Sequence, residues 1–137
     1  MDPIPKHNAD IGNRTDVLYN CMLETPDQGG VIEIERLLQN QVSFIVTHPL
    51  VSFEGKASAV IPPYIDQKKL KNIKKKMGFH LIDHNFYNSI SSQVKCRPNT
   101  GNIAIYHLLK YPIKELFITG YSFYLDGFMD GYKNHVD

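Results

Sequence analysis

The spacing of apolar positions changes along the chain, and each change predicts an element. Asp16-Val17-Leu18-Tyr19 groups β-branched and aromatic residues and predicts a short strand. Pro26-Asp27-Gln28-Gly29-Gly30 is turn chemistry. Val31, Ile34, Leu37 and Leu38 then recur at helical spacing with Glu33, Glu35 and Arg36 between them, which predicts an amphipathic helix. Val42 to Val46 is a near-continuous apolar run closed by Thr47-His48-Pro49, the pattern of a buried strand. Leu50 to Pro63 is mixed and reads as irregular. From Asp66 to Met77, Leu70, Ile73 and Met77 repeat every three or four residues, so a helix is expected, with Gly78 as its stop.

Phe79 to Asp83 is a strand candidate, and Asn85 to Gln93 a short helix. Thr100 to Lys110 reads as a helix with Asn99 as its N-cap, ended by Tyr111-Pro112. Glu115 to Thr119 reads as a strand terminated by Gly120. Strands alternating with helices at this spacing build βαβ units. The expected fold is therefore α/β, a Rossmann-like open sheet with helices on both faces.

Length and composition narrow this little. The 137 residues suit one domain, and 42% hydrophobic with 21% charged residues excludes a disordered or collagen-like chain. Fifteen basic against fourteen acidic residues leave a charge of +1, which offers no electrostatic footprint for nucleic acid. Two cysteines, Cys21 and Cys96, allow one bridge but no disulfide scaffold, and two buried thiols are the expectation. The opening residues Met1 to Pro5 have no basic, then apolar, signal-peptide pattern. Nor does any run approach the roughly 18 apolar residues of a membrane span. The default expectation is a soluble, cytoplasmic protein.

In open α/β sheets ligands collect beyond the carboxyl ends of strands, often against helix N-termini. Two places fit. Arg97-Pro98-Asn99-Thr100-Gly101 enters a helix: Pro98 stiffens the approach, Gly101 admits a close ligand, and the first helical amides suit a phosphate. The same residues also make an ordinary helix cap. Gly120 leaves a strand and opens room for a nucleotide, or simply starts a turn, with Tyr121, Phe123 and Tyr124 as base-walling or core aromatics. Asn20, just past the first strand, can donate to phosphate or cap its loop.

Two blocks carry a resemblance. Asp10-Ile11-Gly12-Asn13-Arg14-Thr15-Asp16-Val17-Leu18-Tyr19-Asn20 is similar to the end of the large sialyl motif of glycosyltransferase family 29, the sialyltransferases. Pro98-Asn99-Thr100-Gly101-Asn102-Ile103-Ala104-Ile105, with Ile118-Thr119-Gly120-Tyr121 downstream, is similar to that family's small motif, in which Pro-Ser/Thr-Thr-Gly opens a helix. The likeness runs from about Asp10 to Tyr132 and is only architectural outside the motifs. It implies a variant of the glycosyltransferase-A fold. It also implies transfer of a sugar, sialic acid in the type case, from a CMP-sugar donor to a glycan acceptor hydroxyl with inversion and without metal. Asn20, Asn99, Thr100, Gly101 and Gly120 would match the donor-binding positions, Asn99 standing where the family has serine or threonine. His135 would match the general base, with a pKa near neutrality. The family's Gly-rich loop has no counterpart before Asp10, and the glutamate that follows its base has none after His135. The chain is therefore expected to be a single transferase domain truncated at both ends. Alternatives from the residues alone are a non-catalytic α/β nucleotide- or partner-binding remnant and a diphosphokinase-like enzyme.

Other residues add little. His80 and His84 have helical metal spacing, but their segment reads as strand, where that spacing loses its meaning. Asp126 and Asp130 are too far apart for a tight metal-binding Asp-x-Asp pair, and His107 reads as a packing or surface histidine. Secretory members of the family link their two motifs by a disulfide whose cysteines sit elsewhere. Lys68 to Lys76 is the solvated face of a helix, or a surface attracted to anionic membranes.

Overall fold

A computed structural model describes residues 14–23, 32–49 and 66–119. Its elements, in order, are β1 (Val17–Tyr19), α1 (Ile34–Gln39), β2 (Phe44–Thr47), α2 (Gln67–Lys76), β3 (Gly78–Leu81), α3 (His84–Val94) and α4 (Thr100–Leu108). The strands form a parallel three-stranded sheet in the order β1-β2-β3. The architecture is mixed α/β, with helices against the sheet on either side.

Register decides which residue meets which layer. Leu18, Ile45 and Phe79 align across the sheet, as do Tyr19, Val46 and His80 one residue later. Because strand side chains alternate, these two rows face opposite ways. Ile45 joins Met22, Ile32, Ile34, Leu70, Ile73 and Met77 in the core beneath α1 and α2. Val46 joins Ile82, Tyr87, Ile90 and Ile103 in the core beneath α3 and α4. β2 is thus covered on both faces, which is why its sequence is a continuous apolar run rather than an alternating one.

The helix ends have local causes. Asp66 caps α2 by accepting from the Lys68 amide at 2.8 Å, and Asp83 caps α3 by accepting from Asn85 and Phe86 at 2.9 and 3.0 Å. α3 stops at Lys95, which takes the left-handed conformation at φ 56°. Lys68, Lys71, Lys74 and Lys75 of α2 are exposed while Leu70 and Ile73 are buried, and Lys76 reaches back to pair with Glu35 of α1.

Three sequence expectations need correction. The first helix begins at Ile34, after the extended Glu33, and is shorter than the periodicity suggests. Gly78 is no helix stop: Met77 already has extended geometry, and Gly78 opens β3, where a Cβ would collide with the Phe44 ring. Glu115 to Thr119 forms no strand, and Phe117 and Ile118 are 83% and 49% exposed. An apolar run becomes a strand only when a neighbour completes its hydrogen bonds, and among the described residues none pairs with it.

Candidate functional site

β1 and β2 end side by side, and the chain beyond them builds the site. Asn20 follows β1 directly, and its amide donates to the Val46 carbonyl at 3.0 Å. Its side-chain oxygen accepts from the Met22 amide at 2.6 Å, closing a tight turn that puts Met22 at φ 61° and buries its side chain in the core. With that oxygen engaged, the amide nitrogen is what Asn20 has to offer a ligand.

Two residues past Val46, the buried ring of His48 places Nε2 3.0 Å from the Thr100 hydroxyl. Asn20 and Thr100, 80 positions apart in the chain, therefore stand at the same carboxyl end of the sheet, bridged by residues 46–48. Asn99 acts as the predicted N-cap: its side-chain oxygen accepts from the Asn102 amide at 2.8 Å, and its carbonyl accepts from Ile103 at 3.1 Å. That leaves the main-chain N–H groups of Thr100 and Gly101 without a partner among the described residues. Two such donors at the positive end of a helix dipole have the chemistry to receive an anion.

Tyr87 and Arg97 complete the surroundings. Tyr87, fully buried, stacks on His48 with ring centroids 5.4 Å apart at 21°, and its hydroxyl reaches the Pro98 carbonyl at 3.4 Å. Burial lowers the His48 pKa below the ordinary 6.5, the Pro49 carbonyl opposes this, and the nearby Arg97 guanidinium adds to the lowering. Burial likewise raises the Tyr87 phenol, against the pull of Arg97. Arg97 itself is exposed and brings positive charge to the loop entering α4.

The other sequence candidates fall elsewhere. Gly120 and His135 lie outside the described residues, as do Asp10 to Asn13, Tyr121, Phe123, Tyr124, Asp126 and Asp130. Arg14 is spent on an exposed ion pair with Asp16 at 2.6 Å. No disulfide joins Cys21 and Cys96, and they are not the two buried thiols expected, since Cys21 is half-buried and Cys96 exposed. Among the described residues no three His, Cys, Asp or Glu side chains converge as a metal set.

His107 is a packing residue, as its place in the helix suggests, yet its surroundings are polar. A concavity of about 310 Å3 lies beside it, lined in part by His80, Asp83, His84, Lys110 and Tyr111. None of Asn20, Asn99, Thr100 or Gly101 lines that concavity. Sequence reasoning missed His48 and Tyr87 as site residues. The available signal was a histidine placed between a buried strand and a proline, at the strand end where ligands collect.

No family model, no curated protein and no solved structure matches the chain.

Proposed function

We propose that this chain is a Rossmann-like glycosyltransferase domain of sialyltransferase type that holds a cytidine-monophosphate sugar at the carboxyl end of its sheet. The observation carrying the proposal is the meeting of the two motif-like blocks. Asn20 and Thr100 arrive at one sheet end, beside two helix N-terminal amides that no described residue claims. The N–H groups of Thr100 and Gly101 receive the donor phosphate, and the Asn20 amide nitrogen adds a third hydrogen bond. As the glycosidic bond to phosphate breaks, negative charge grows on the departing oxygen. Fixed amides stabilise that charge without having to reorganise. The acceptor hydroxyl attacks the opposite face of the sugar carbon, giving inversion, and its proton passes to the base assigned to His135. Gly120 accompanies the cytidine. A glycan acceptor completes the reaction, and the charge on the leaving group is met by protein donors rather than by a metal.

Calorimetric titration with CMP and, separately, ATP tests this reading. CMP is expected to bind and ATP not. Preference for ATP, or binding of neither, overturns it.

A further inference from the structure

Resting on the nucleotide reading above, we propose that His48 is a positioning residue for the site. Its Nε2 accepts a hydrogen bond from the Thr100 hydroxyl, so Thr100 presents lone pairs to the nucleotide and receives a hydrogen bond from a ribose hydroxyl.

The direction of these bonds follows from one carbonyl. Nδ1 of His48 lies 3.1 Å from the Pro49 oxygen. A carbonyl can only accept, so Nδ1 carries the N–H. A neutral imidazole has one such proton, which leaves Nε2 with its lone pair facing Thr100 Oγ1 at 3.0 Å. The hydroxyl must therefore donate. A threonine hydroxyl has a single proton, and with that proton committed it can only accept from any third group. Burial beneath the Tyr87 ring, with Arg97 nearby, disfavours the charged imidazole that would reverse the arrangement. The same tyrosine contacts the Pro98 carbonyl just before α4, so the ring and the helix entrance are held by one residue.

The chemistry at the α4 tip is thereby divided. The main-chain N–H groups of Thr100 and Gly101 are donors and suit phosphate oxygens, which have lone pairs but few protons to give. The Thr100 hydroxyl is an acceptor, repels a phosphate oxygen and suits a sugar hydroxyl. A hydroxyl without His48 could turn to serve either group. With His48 in place, the site distinguishes a ribonucleotide from a nucleotide lacking one ribose hydroxyl.

Two measurements on the full chain test this. Imidazole nitrogen NMR without ligand is expected to show His48 protonated at Nδ1 and bare at Nε2; the opposite tautomer overturns the proposal. Titrations with CMP, 2′-deoxy-CMP and 3′-deoxy-CMP follow. The wild type is expected to favour CMP over one deoxy analogue by about threefold to tenfold, the worth of one neutral hydrogen bond. Thr100→Ser should keep that preference. Thr100→Val and His48→Phe, the latter retaining a ring for Tyr87, should each lose it, and the double variant should lose no more than either. CMP binding with no such preference in the wild type, a His48→Phe protein that keeps it, or losses that multiply in the double variant overturn the assignment. Should His48→Phe fail to fold, His48→Gln takes its place: its amide oxygen can accept the Thr100 proton, so it should keep the preference, and loss of it counts against the pair. Wild-type protein that binds no CMP sinks the nucleotide reading instead, while the tautomer still decides whether His48 holds the Thr100 proton.

Discussion

The Tyr19 hydroxyl lies 2.8 Å from Nδ1 of His107, a residue 88 positions further along the chain. This bond ties the end of β1 to α4. Around the same imidazole, His80 stacks at 5.3 Å and 19°, while Phe86 and Tyr111 approach edge-on at 6.1 and 5.4 Å. His107 is thus the polar centre of an aromatic cluster on the sheet face that α3 and α4 cover. A neutral hydrogen bond in such a place contributes about 1 kcal/mol, so Tyr19→Phe should lower unfolding stability by about that much. Urea denaturation checks it. An unshifted midpoint would mean that water replaces the bond without loss.

Acid should weaken the fold through its two buried histidines. The pKa of His107 lies below 6.5, chiefly from burial, then from His80 and Lys110; that of His48 is lowered chiefly by burial. The unfolded chain therefore takes up protons that the folded one refuses. Their contribution is present above pH 6.5 and is lost as pH falls through the lower, folded-state values. Tm measured from pH 7.5 down to about 5 should fall, and less steeply in a His48→Phe, His107→Phe double variant, because only the neutral imidazole is favoured when buried. Identical profiles for the two proteins would contradict this.

Gly78 and Phe44 face each other across paired strands, and the Phe44 ring occupies the space a Cβ at position 78 would need. Gly78→Ala should cost about 1–3 kcal/mol through the displaced ring. Phe44 is partly exposed and so is able to swing aside, which favours the lower end. Adding Phe44→Ala should recover most of the overlap cost, and a double-mutant cycle by chemical denaturation reads the coupling.

Asn20→Asp separates the two jobs of that side chain. The carboxylate still accepts from the Met22 amide, so the turn and Tm should persist. The donor is lost and a negative charge faces the phosphate, so CMP affinity should drop by about tenfold or more. Equal affinity in the two proteins would remove Asn20 from the site.

Gly101→Val places a branched side chain at the partly exposed tip of α4, between the unclaimed amides and any ligand. Cytidine-nucleotide binding should disappear while the far-ultraviolet circular dichroism spectrum stays unchanged. Unaltered affinity would exclude the helix tip as the phosphate site.

Much of this organisation can be read from residue order. The period of Leu70, Ile73 and Met77 announces α2, the run Val42 to Val46 announces a strand buried on both faces, and Asn99 announces the cap of α4. Spacing reports local conformation and which face is apolar, because both depend on neighbours a few positions away. It has no access to partners. Glu115 to Thr119 has strand composition but finds no adjoining strand among the described residues, and Gly78 resembles a helix stop because Phe44, its actual reason, lies on another strand.

The sequence by itself determined the alternation of helices and strands and their α/β class. Tertiary structure alone decided that Asn20 and Thr100 share one sheet end, that His48 holds the Thr100 hydroxyl, and that His107 is bound to Tyr19. The physical reason is range. Backbone preference and hydrophobic period act over a few residues, whereas the direction of a buried hydrogen bond depends on groups that only the folded chain brings within 3 Å of one another.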